Sequence, residues 1–254
     1  MFFLYHKRVV FSIAIVAFFF SCKKDTITTP GNNIPSSHYS SANISIFTKS
    51  NNLSIIWDSL NNINAAGNIY SVHNINFYIS NISLKRTDGF IYRSNSVFYI
   101  DPSISNKSIL QLDSIPMGEY SSLSFLIGID SLRNIDYGLG TTVDNLNMAW
   151  PTAMGGGYHF IKIEGHYLDT SSTIQGFAIH LGKNNNLVNV AINQVLNQQN
   201  SLHNYSLVFN INEVFSNPYL YNLNIDNNYT MSDSVAMFKI KSNMKDAFSI
   251  IQNN

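Results

Sequence analysis

Residues 148–182, MAWPTAMGGGYHFIKIEGHYLDTSSTIQGFAIHLG, decide how the chain folds. Two runs within them, 158–168 and 173–181, alternate apolar and polar side chains with the period of two that marks a strand buried on one face. Asp169-Thr170-Ser171-Ser172 between the runs is turn chemistry. The segment therefore predicts an antiparallel hairpin in which Ile161 faces His180 and His159 faces Gly182. Facing residues share a side of a sheet, and diagonal neighbours lie roughly 7–8 Å apart. His159 and His180 should converge, while Glu164 and His166 fall on the opposite side unless Gly165 introduces a bulge.

The rest of the composition agrees with strands. Hydrophobic residues make up 45% of the 254 and charged residues only 12%, with Asn, Ser, Ile, Tyr and Phe abundant where a helical protein would carry Ala, Glu and Lys. The fold class expected is all-β and mainly antiparallel, a β-sandwich of two sheets with a short C-terminal helix. Strands are predicted at 42–49 and 53–57, 70–84, 90–100, 109–112, 120–129, 187–195 and 205–211. A helical turn is expected at 212–215 and the terminal helix over 232–251, where Val235, Phe238, Met244, Phe248 and Ile251 fall at roughly helical spacing. No period of 20 to 50 residues recurs, which excludes a solenoid or propeller.

Ahead of this domain, Lys7-Arg8, the apolar run 9–20 and Phe19-Phe20-Ser21-Cys22 read as a lipoprotein signal peptide, too short to span a bilayer. The organisation expected is signal peptide 1–21, flexible tether 22–41 rich in Thr, Pro, Gly, Asn and Ser, and one domain over 42–254. Cleavage before Cys22 and acylation of its sulfur would anchor the protein in the outer membrane of a bacterial envelope. With a single cysteine the chain makes no internal disulfide. Losing Lys7 and Arg8 from 15 basic residues leaves 13 against 15 acidic ones, a net of −2, so no basic field exists to hold nucleic acid.

Imidazole is the commonest protein ligand for transition metals, and soft thioethers favour Cu(I). His159 and His180, with Met148, Trp150 and Met154 just upstream, make a soft-ligand site for Cu(I), whereas tetrahedral Zn²⁺ would want a further nitrogen or carboxylate. His180 beside Gly176 and Ala178 also reads as an ordinary surface residue. His73 falls on the apolar side of its strand, either as a core histidine bonded to backbone or as a further ligand reaching the site. Asp130, Asp136 and Asp144 in the long loop 130–147 offer oxygens for Ca²⁺, without the spacing of an EF-hand. HExxH, G-x-S-x-G and a phosphate-binding glycine loop are all absent from the sequence, and the chain is not expected to be an enzyme.

YISNISL (78–84), GEYSSLSFLIGIDSLRN (118–134), MAWPTAMGGGYHFIKIEG (148–165), FAIHLG (177–182) and NINEVFSNP (210–218) carry a resemblance in consistent order. Together they resemble the MbnP-like family of bacterial periplasmic and lipoprotein copper-associated proteins. The resemblance implies a secreted β-rich sandwich and Cu(I) held by histidines beside a tryptophan that a partner dihaem enzyme of the MauG-like class oxidises to kynurenine. Its context is methanobactin handling or copper acquisition. Trp150 stands at the tryptophan of the Met-x-Trp run and His180 at the histidine of the late H-x-G element, with His159 in a GGYHF variant. Pro151-Thr152-Ala153-Met154 stand where the W-x-W form has its second tryptophan. The expected function is copper acquisition or sequestration by an envelope lipoprotein, with His159, His180 and His73 as ligands and Trp150 lining the site. The alternatives are a glycan- or peptide-binding module using Trp57 or Trp150 as a stacking platform, or a structural envelope lipoprotein without metal.

Overall fold

The computed structural model describes residues 38–253, so the expected signal peptide, Cys22 and most of the expected tether lie outside the described residues. β1 (Tyr39–Ser50) opens the domain and already includes the last three residues assigned to the tether. β2 (Leu53–Ser54) folds back on it, and β3 (Asn62–Ile63) leads into the long β4 (Ile69–Arg86). β5 (Ile91–Ser94), β6 (Phe98–Ile100), β7 (Ile109–Pro116) and β8 (Gly118–Ile127) follow, and α1 (Val143–Asn147) lies in the loop after β8. The predicted hairpin is β9 (His159–Leu168) and β10 (Ile174–Gly182). β11 (Val188–Ile192), β12 (Leu196–Gln198), β13 (Leu202–Asn210), α2 (Ser234–Asn243) and β14 (Phe248–Asn253) complete the domain.

The strands form the two sheets of a sandwich. One runs β14-β13-β1-β2, with β7 also on β1; the other runs β10-β9-β4-β8-β11, with β3, β5 and β6 on β4 and β12 on β8. Pairing between these strands is antiparallel except between β1 and β13. Side-chain alternation sorts the two faces: Ala42, Ile44 and Ile46 of β1 point inward while Asn43, Ser45 and Phe47 face out. Phenylalanines tie the layers together. Phe248 stacks on Phe209 at 4.8 Å between ring centres and meets Phe125 of the other sheet edge-on at 5.4 Å.

Three of the differences from the sequence reading bear on the core and the site. Strand 90–100 is split into β5 and β6, because both pair with β4 on either side of Asn81, whose φ of 50° interrupts that strand. The terminal helix stops at Asn243, and residues 248–253 form β14. Met244 and Phe248 are both buried, so a four-residue spacing is common to helix and strand; the core favours Phe248 and Ile250 facing inward from β14 beside β13. The hairpin turn is one residue longer than expected, Asp169 to Thr173, because the Asp169 carboxylate accepts from the amides of Ser171 and Thr173. That residue moves the register.

With the longer turn, Leu168 pairs with Ile174 and His180 pairs with Lys162 rather than Ile161. On that register alone His159 would lie on the wrong side. A bulge between Leu181 and Gly182 restores it, so that His159 does face Gly182. Glu164 thereby comes to the side of His180, a correction of the expected parity. A second bulge, in β4 opposite Gly165, expels His73. The chains approach so closely there that a Cβ on Gly165 would meet the Ser71 carbonyl.

Candidate metal centre

The segment before β9 is folded against it. His159 N–H donates to the Met148 carbonyl at 2.7 Å and Trp150 N–H to the Gly157 carbonyl at 2.8 Å, so residues 148–150 run back along 157–159. The intervening turn has Gly155, Gly156 and Gly157 at φ of 110°, 68° and 83°, a conformation that disfavours side chains. Asp136 closes on it: its Oδ1 accepts from Gly157 N–H at 2.7 Å, and a Cβ on Gly156 would strike that carboxylate. The turn delivers Trp150 into the protein at 1% exposure, its indole edge against the bare Cα of Gly182.

Trp150 lies 4.7 Å from the His159 ring, and the His159 ring 4.9 Å from that of His180, between centres. The two imidazoles are almost perpendicular, at 87°, and both are buried. His159 Nδ1 stands 3.1 Å from the Met148 carbonyl, which can only accept, so that nitrogen carries the proton and Nε2 is a bare lone pair. His180 Nε2 lies 2.7 Å from Glu164 Oε1; with the carboxylate ionised, Nε2 is the donor and Nδ1 is bare. Neither His159 Nε2 nor His180 Nδ1 has a hydrogen-bond partner, nor does the Trp150 Nε1–H. Buried polar atoms are rarely left so, and three orphans on three touching rings are what a ligand site presents.

The profile of the MbnP family matches residues 40–237. The chain belongs to the MbnP family. Its structure is similar to that of MbnP from Methylosinus trichosporium, with a TM-score of 0.52 over 85% of this chain and 99% of that one, at 12% sequence identity. That likeness is one of fold. No match is found among curated proteins.

In this MbnP-family chain the donor set fits a soft monovalent ion. Both histidines offer one lone pair while the other nitrogen is anchored by an oxygen, the arrangement by which metal-binding imidazoles are oriented. Among the described residues no group of three or more His, Cys, Asp and Glu side chains is placed to hold a metal ion. Burial above all, with the neighbouring His180 second, pushes the His159 pKa down from 6.5 to about 4, so its lone pair is free at neutral pH. The hydrogen bond from His180 holds the Glu164 carboxyl at about 2 against the cost of its burial, with Lys162 3.5 Å away and Asn74 at its other oxygen.

Of the predicted residues, the fold brings together His159, His180 and Trp150. His73 is turned to solvent by its bulge, its side chain 63% exposed and its Nδ1 2.6 Å from Asp58. It stands neither on the apolar side of β4 nor in contact with the two rings. His166 is exposed. The loop carboxylates serve separate partners, Asp130 with Arg133, Asp144 with Lys107, and Asp136 with Gly157 and Thr152. Trp57 is half-buried against the core, and Trp150 is fully buried and offers no open stacking face. Sequence reasoning missed Glu164, whose side depends on one turn residue. Thr230, which bonds the His180 backbone from fifty residues away, left no local signal.

Proposed function

We propose that this MbnP-family protein binds copper as Cu(I) between His159 Nε2 and His180 Nδ1, with Trp150 covering the site, and serves copper acquisition or sequestration. The observation that carries the reading is the pair of buried imidazoles, each held through one nitrogen and unpartnered at the other. Two neutral nitrogens suit a soft, singly charged ion, since little charge must be desolvated. The protein would hold and release the ion rather than catalyse a reaction. Its proposed setting is the bacterial envelope, outer-membrane-anchored through lipid on Cys22. A MauG-like dihaem enzyme is the proposed partner acting on Trp150, in the context of methanobactin handling.

Anaerobic Cu(I) titration against a chromophoric chelator tests the reading, with wild type beside a His159→Ala/His180→Ala double variant. A saturable site in the wild type that disappears in the variant supports it. Equal copper in both would remove these histidines from the account.

A further inference from the structure

β10 is the outermost strand of its sheet, paired with β9 on one side only. His180 N–H and C=O point toward the unpaired edge. There the N–H donates to Thr230 Oγ at 2.8 Å, and the same hydroxyl donates to the His180 carbonyl at 2.7 Å. One side chain thus satisfies both backbone groups, as a neighbouring strand would. Two residues earlier Ala178 N–H donates to the Asn228 carbonyl, so the covering segment is 228–230. Thr230 is wholly buried, and Asp233 three residues on caps α2 through the amides of Val235 and Ala236, which anchors the segment.

Every polar atom of His180 except Nδ1 is then committed: N–H and C=O to Thr230, and Nε2 to Glu164. An edge strand without a partner frays, and a ring carried on it would drift from His159. We propose that Thr230 is a positioning residue of the metal site, its hydroxyl replacing the missing strand and fixing the His180 backbone so that the two rings keep their spacing in the metal-free protein. This rests on the copper reading above. The ion then meets a preformed pair, and the ordering cost is met on folding rather than on binding.

The test uses the full chain with Thr230→Val, nearly the same shape without the hydroxyl, and Thr230→Ser, which restores it. Thr48→Val is the control, since Thr48 is buried with an unpartnered hydroxyl in β1. Two quantities are read well below the melting temperature: amide hydrogen exchange at His180 in metal-free protein, and Cu(I) affinity by chelator competition. The expected result is rapid His180 exchange and about tenfold or greater loss of affinity in T230V, with T230S and T48V near wild type in both. If T230V does not fold, Thr230→Ala adds no bulk and carries the same readouts. A T230V or T230A protein that melts lower yet binds Cu(I) as wild type does overturns the proposal and leaves Thr230 a mere edge cap. Wild type that binds no Cu(I) instead sinks the copper reading, and the role of Thr230 with it.

Discussion

The His159 and His180 rings stand 4.9 Å apart and nearly perpendicular, and each uses one nitrogen for a protein oxygen while the other meets nothing. Buried polar atoms usually find a partner, so the two bare nitrogens need an explanation that packing alone does not give. The asymmetry gives Glu164 a definite role, because by accepting from Nε2 it selects the tautomer of His180 that has a free Nδ1.

Replacing Glu164 with alanine should therefore weaken Cu(I) binding about 10- to 100-fold while the fold survives. Chelator competition reads the first effect and circular dichroism the second. The acid limb of stability should change as well. Glu164 titrates at about 2 in the folded protein against an ordinary 4.5, so its contribution is complete above 4.5 and lost as pH falls through 2. Urea midpoints between pH 5 and 2 should fall less steeply in Glu164→Ala than in wild type.

His159 acts in a higher window. Its folded pKa of about 4 lies below the ordinary 6.5, so between those values the unfolded chain takes a proton that the folded chain refuses. Stability contributed by the neutral ring is present above 6.5 and declines as pH falls toward 4. Burial lowers the pKa of His203 too, which adds a slope of the same sign, so the informative quantity is a difference. Urea denaturation of metal-free wild type and His159→Leu at pH 7.5 and 5 should show the smaller loss in the variant.

The meeting of His159 and His180 was legible from the alternation of two strands, yet the reason for it was not. The expected register was off by one over most of the hairpin, and a bulge at the Gly182 end compensated. Periodicity fixes which residues share a strand face but is blind to a single inserted residue, and here Asp169's side-chain bonds and the bulge each inserted one. Glu164 lay beyond reach for the same reason. His73 reads as inward from the pattern Ile75, Phe77, Ile79, but the chain bulges where Gly165 lets the Ser71 carbonyl approach. Thr230 and β14 depend on contacts between distant segments, which no local pattern encodes.

The C-terminal strand supplies a stability prediction. Phe248 of β14 stacks on Phe209 and meets Phe77 and Phe125 at the centre of the sandwich, so it joins the last strand to both sheets. Phe248→Ala should cost about 3–5 kcal/mol, the range for emptying a buried aromatic position. The outward neighbour Ile251, 52% exposed, should cost far less when replaced by Thr. Chemical denaturation separates the two; comparable losses would mean that residues 248–253 do not pack as a strand on β13.

Gly182 offers a way to disturb the site without touching an imidazole. A Cβ there would lie 2.3 Å from Trp150 Cε3 and 2.5 Å from Cζ3, and the indole, buried and backed by His159, has little room to retreat. Gly182→Ala should therefore cost about 1–3 kcal/mol through overpacking. It should also change Trp150 emission, which a Trp57→Phe background isolates from the second tryptophan. Because the displaced indole must shift against His159, Cu(I) affinity should fall together with stability in Gly182→Ala. The Phe248→Ala core cavity should lower stability alone, and a similar copper affinity in both variants would show that the position of Trp150 does not matter to the site.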